Sequence, residues 1–107
     1  MTHHHAYPPI PATVDAPAGP VRVEIIVAPP AWHEEATAQC GEYDDWIRCI
    51  RIDGTLELPM QWATLFHELA HTAMMDAGLH HLFSDPQQEA LCDALATARL
   101  RERSFPA

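Results

Sequence analysis

Proline sets the outer limit on what this chain can pack. Positions 8, 9, 11, 17, 20, 29 and 30 carry seven of its ten prolines, all within the first thirty of 107 residues. Each fixes φ, removes a backbone donor and turns the preceding residue away from helix, so 1–20 reads as a Pro-rich flexible leader, extended or disordered. Roughly 85 residues are left for one domain over 21–107, near the lower limit at which a core stands without a staple. A disulfide or a metal is expected to supplement it.

Six arginines and no lysine face 15 acidic residues, for a net charge of −9. That balance excludes a nucleic-acid surface, which needs clustered cations against phosphates, and an anionic membrane surface. An apolar content of 48% excludes a wholly disordered chain. Cys40, Cys49 and Cys92 are an odd set, and no cationic start with an apolar stretch opens the chain, so the expected setting is a reducing cytoplasm. The cleanest apolar run of the N-terminal third, Ile25–Ala28, is far short of the ~20 residues of a membrane span. Eight histidines favour metal over disulfide; His3, His4 and His5 are left outside the fold reasoning.

Val21–Val27 is β-branched and stops at Pro29-Pro30, which predicts a first strand. Ala31–Thr37 reads as a short helix or a loop. Gln39–Tyr43 and Trp46–Ile52 flank Asp44-Asp45, a pattern for a two-residue hairpin that would oppose Tyr43 to Trp46 and Cys40 to Cys49. That cysteine pair reads first as two small apolar strand residues, with a cross-strand disulfide or half a metal site as alternatives. After the Asp53-Gly54 turn, Met60–Ala77 has helical apolar spacing and ends before Gly78, where a left-handed residue is expected; Met74-Met75 reads as core filling. A second helix opens at Ser84-Asp85-Pro86, with Asp85 as N-cap, Pro86 first and Gln88 at N3, and runs to about Arg103, its last turns favoured by Arg99, Arg101 and Arg103.

The first long helix carries His67-Glu68-Leu69-Ala70-His71, an H-E-x-x-H motif. At ~100° per residue the two histidines stand about 40° and one turn apart, close enough to bind one ion. Glu68 is rotated aside, where it can reach a metal-bound water without being a ligand. The bland alternative is a surface helix with two solvated histidines. A catalytic site wants a third protein ligand, and Glu89 is the candidate, since two helices on a short linker pack antiparallel and bring the start of the second to the end of the first. Asp93, one turn on, would accept the distal N–H of a ligand histidine. The rival reading of both acids is a solvated face. His80 or His81 could instead reach back after Gly78, and Cys92 could point at the metal or at the core. A metzincin is excluded, because Met74 and Ala77 stand where it needs glycine and histidine.

Thr64–His71 followed by Glu89-Ala90-Leu91-Cys92-Asp93-Ala94-Leu95-Ala96 resembles the zinc metallopeptidases of the ImmA/IrrE type, particularly short phage and prophage members, over about 46–100. The Glu89/Asp93 segment is similar to the glutamate helix of gluzincins, in which the Glu is the third zinc ligand and the Asp supports a ligand histidine. The resemblance implies a small antiparallel sheet beside the active-site helix, with an edge strand able to bind an extended peptide. With the three strands read above, the expected fold is α+β and minimal zincin-like: a three-stranded antiparallel sheet packed on the H-E-x-x-H helix and a C-terminal glutamate helix.

The expected function is hydrolysis of peptide bonds around one catalytic zinc ion, with Glu68 as general base, His67, His71 and Glu89 as ligands and Asp93 behind them. Tyr43, His80 and His81 are candidate donors to the oxyanion. The expected partner is a protein or peptide substrate. Two alternatives stand beside this: a non-catalytic, zinc-stabilised protein-binding domain, and a zinc hydrolase of a non-peptide amide.

Overall fold

Alternation of apolar and polar residues places one short strand where the leader was expected to be loose, ahead of the expected first strand. In the computed structural model, which describes residues 7–34 and 38–106, β1 (Thr13–Ala16) and β2 (Gly19–Ile26) form an antiparallel pair in which Val14 lies opposite Val21, both buried. The flexible leader over 1–20 is therefore corrected from Tyr7 onwards. Tyr7 and Ile10 pack on the core, the Trp62 indole donates to the Pro8 carbonyl at 2.7 Å, and the Val23 N–H donates to the Ala12 carbonyl at 2.8 Å. Proline removes donors but leaves acceptors, and an edge strand such as β1 tolerates prolines at its ends. His3, His4 and His5, and 35–37 of the segment read as helix or loop, lie outside the described residues; its described part holds a 3-10 turn over Pro30–His33.

The sheet has four strands in the order β1-β2-β4-β3, with β3 (Gly41–Asp44) antiparallel to β4 (Cys49–Asp53). Its two central strands, β2 and β4, are parallel, Val23 opposite Ile50 and Ile25 opposite Ile52. This replaces the expected three-stranded antiparallel sheet; the α+β class stands. Parallel pairing needs a crossover of a dozen or more residues, and the stretch between β2 and β3 supplies it. Its anchors are buried Trp32, whose carbonyl accepts from the Gln39 N–H at 2.8 Å, and buried Asp53. One Asp53 oxygen lies 2.9 Å from His33 Nε2, while the other accepts from the Thr55 N–H and hydroxyl. His33, then Thr55, hold that carboxyl below the usual range.

The hairpin between β3 and β4 is also wider than a two-residue turn. Asp44 pairs with Cys49 and Tyr43 with Ile50, so Asp45–Arg48 forms a four-residue loop closed by the Trp46 N–H donating to Asp44. Arg48 adopts φ 48° and donates to both Asp76 oxygens, at 2.7 and 3.2 Å, and to the Gly19 carbonyl. Cys40 consequently sits across from Asp53, whose N–H donates to its carbonyl, and not from Cys49; all three cysteines are free.

Helix α1 (Leu58–Asp76) starts on Pro59 and buries Trp62, Leu65, Phe66 and Leu69 against Val21, Val23, Ile50 and Ile52. It ends as expected before Gly78 at φ 73°. Helix α2 (Asp85–Glu102) is capped one residue earlier than the sequence suggested. The Ser84 hydroxyl accepts from the Gln87 N–H, and the Gln87 side chain accepts from the Ser84 N–H, a capping box. Gln88 is spent elsewhere, donating to the His80 and Phe83 carbonyls. Among the described residues no helix is long and apolar enough to cross a membrane.

Gly41 fixes how closely β3 lies on α1. A Cβ there would stand 2.5 Å from Thr64 Cγ2 and 2.8 Å from the Arg51 carbonyl. Thr64 cannot rotate away freely, since its hydroxyl donates to the Met60 carbonyl at 2.8 Å. Gly41→Ala therefore pushes β3 off the helix, and a urea melt should show a loss of about 1–3 kcal/mol.

Candidate metal centre

The helical repeat of α1 brings the His67 and His71 rings to 4.9 Å between centroids. The capping box starts α2 so that Glu89, in its second turn, crosses that pair. Its two oxygens lie 3.1 Å from His67 Nε2 and 2.9 Å from His71 Nε2. The three donor atoms fall within 4.8 Å of one another, so His67, His71 and Glu89 could hold a metal ion. Bonds of about 2.1 Å in a tetrahedron separate ligand atoms by about 3.4 Å, and the observed contacts need open only slightly to admit one.

One turn further along α2, Asp93 places an oxygen 2.7 Å from His67 Nδ1. A proton held on Nδ1 by that carboxylate leaves Nε2 with its lone pair towards the ion, the tautomer a ligand requires. Cys92 faces the other way: it is fully buried, its sulfur 3.7 Å from that of Met74, which closes the alternative of a cysteine ligand. Asp93→Asn should weaken metal binding about 10- to 100-fold, measured by competition with a chromophoric chelator; unchanged affinity would mean the 2.7 Å contact does not support His67.

Glu68 lies on the wall of the same cavity, of about 680 Å³, between α1 and β3. Burial pushes its carboxyl up to about 7; Glu89 and Glu42 push the same way and His67 opposes them. Tyr43 also lines the cavity, its hydroxyl donating to Asp45 at 3.2 Å, and burial raises its phenol. His80 and His81 do not. They occupy the 3-10 turn Leu79–His81 beyond α1, rings 3.9 Å apart, outside the residues that line this cavity and outside the His67, His71 and Glu89 cluster.

Two contributors escaped the sequence reading. Gly41 admits the close approach of β3, and a lone glycine inside a strand pattern was its signal. Glu42 adds negative charge to the cavity and is held by Arg51 at 2.8 Å, a guanidinium that also reaches Glu24 and Asp44. Nothing local marks Glu42, since its role depends on what α1 brings opposite. No family model, curated protein or solved structure matches the chain.

Proposed function

We propose that the protein is a zinc-dependent metallopeptidase of the kind its two motifs resemble, with Glu68 as general base. The observation that carries the reading is the convergence of two imidazole nitrogens and one carboxylate on a single point at the wall of an open cavity, with a second carboxylate beside it. Two nitrogens and an oxygen, with no fourth protein ligand among the described residues, is the donor set of a catalytic zinc site and not of a closed structural one. Bound zinc would supply Lewis acidity, polarising a scissile carbonyl and making water more acidic.

The chain's own residues do the rest. Glu68, held at about 7 in the metal-free site, is poised to take a proton from water and return it to the leaving amine. Asp93 fixes the His67 ring, and Tyr43, on the wall of the cavity, is the candidate donor for developing negative charge, once its hydroxyl leaves Asp45. The sheet order leaves β3 on the outside, along the cavity, where an extended main chain can add as a further strand. That favours a peptide over a compact amide. The test is a mixed-peptide digest by the zinc-loaded protein, read by mass spectrometry with and without chelator. Chelator-sensitive cleavage is expected; intact peptides with zinc bound would sink the reading.

A further inference from the structure

Beyond the metal site, on the Nδ1 side of His67, opens a second cavity of about 670 Å³. It shares His67 and Asp93 with the first and is closed at its far end by Tyr7, Thr97, Arg101 and Arg103. In a chain of net charge −9 this cationic end is exceptional. Arg22, Arg48 and Arg51 are each paired with carboxylates. Among the described residues Arg101 and Arg103 have no such partner, and Arg103 instead rests over the Tyr7 ring at 4.6 Å. The metal cavity carries the opposite sign, lined by Glu42, Glu68, Glu89 and Asp93. The cleft is thus polarised along α2, acidic at the metal and basic at its far end.

We infer that the Arg101/Arg103 cavity is the subsite that receives a carboxylate of the peptide substrate, either an acidic side chain or the free C-terminus. This rests on the peptidase reading for its substrate class. The planar fork of arginine matches a carboxylate, and a guanidinium already stacked on an aromatic ring loses little freedom in binding. The spacing sets where the acid falls. Arg101 is twelve positions beyond Glu89 on α2, about 18 Å along the axis, and its side chain leans back towards the N-terminus. A span of up to about 18 Å is no more than about five residues of extended peptide from the bond at the metal.

The test is binding, so that it does not depend on turnover. Zinc-loaded E68Q protein is titrated calorimetrically at low salt with three alanine-rich decapeptides, all acetylated. One is amidated and carries a single Glu, the second is its Gln counterpart, and the third is the Gln peptide with a free C-terminus. Either acid-bearing peptide should bind about ten-fold tighter than the neutral one, and the one that gains identifies the source of the carboxylate. In R101Q/R103Q the ratio should collapse to within about two-fold, while R101K/R103K, which keeps the charge but loses the fork and the stacking on Tyr7, keeps only part of it. Equal binding of all three peptides, or a preference that survives R101Q/R103Q, overturns the subsite. Arginine-dependent binding without any cleavage by the wild type leaves the subsite standing and removes the peptidase; cleavage with no charge preference does the reverse.

Discussion

Glu68→Gln should abolish the chelator-sensitive peptide cleavage proposed above and leave zinc stoichiometry unchanged. A positioned base contributes about 10²- to 10⁴-fold, and glutamine accepts no proton, so the loss should reach at least the upper part of that range. The same substitution should stabilise the metal-free protein. The Glu68 carboxyl is raised to about 7 in the fold, chiefly by burial, above the ~4.3 of a glutamate in an unfolded chain. The folded state therefore holds the proton more tightly, and stability falls as pH climbs from about 4.3 through 7. At pH 8 the ionised, buried carboxylate costs about 3–4 kcal/mol, a penalty the amide does not carry. Metal-free Glu68→Gln should thus melt above metal-free wild type at pH 8 and match it near pH 4. Were the two curves to coincide at pH 8, Glu68 would not be a buried, ready base. A site that is costly without its ion and productive with it is the expected signature of catalytic residues held against their own stability.

What was legible in the sequence was what local geometry decides. His67 and His71 meet because a helix repeats every 3.6 residues, and Glu89 and Asp93 share a face for the same reason; both facts were open to reading before any packing was known. Gly78 ends α1 where a left-handed residue was expected. The failures all involve distant partners. The hairpin widened because Arg48 is recruited by Asp76 and Gly19, neither near it in sequence. The parallel pairing of β2 and β4 depends on a crossover pinned by Trp32, His33 and Asp53, and no alternation pattern encodes that. The leader hid a four-residue strand, too short for its alternation to stand out among prolines. Tyr7 and Arg103, 96 positions apart, meet only once α2 has crossed the start of the chain.

Zinc removal should unfold this protein from α2 inwards. That helix buries only Cys92 and Ala96, with Leu100 half-buried on the core and Arg99 over the Phe66 ring, while Leu91 and Leu95 are 38% and 46% exposed, so a small apolar area holds it to α1. In the metal-free state the helices are joined across the site by contacts between Glu89, Asp93 and the two histidines, beside Glu68 and Glu42, whose negative charges oppose one another. An ion bonded to His67 and His71 on one helix and Glu89 on the other replaces repulsion with a cross-link. At free zinc 1,000-fold above its dissociation constant the gain is about 4 kcal/mol, and for a domain of this size that moves the melting temperature by about 15–30 °C. Calorimetry with and without chelator measures the shift, and a change below about 2 °C would mean that zinc does not clamp the fold. Hydrogen exchange separates clamp from global stabiliser. Chelation should release the amides of α2 first, at a temperature where those of β4, whose Cys49, Ile50 and Ile52 are fully buried, stay protected. Uniform loss across both elements would instead tie the ion to the whole core, and the two helices would have to be held by something other than His67, His71 and Glu89.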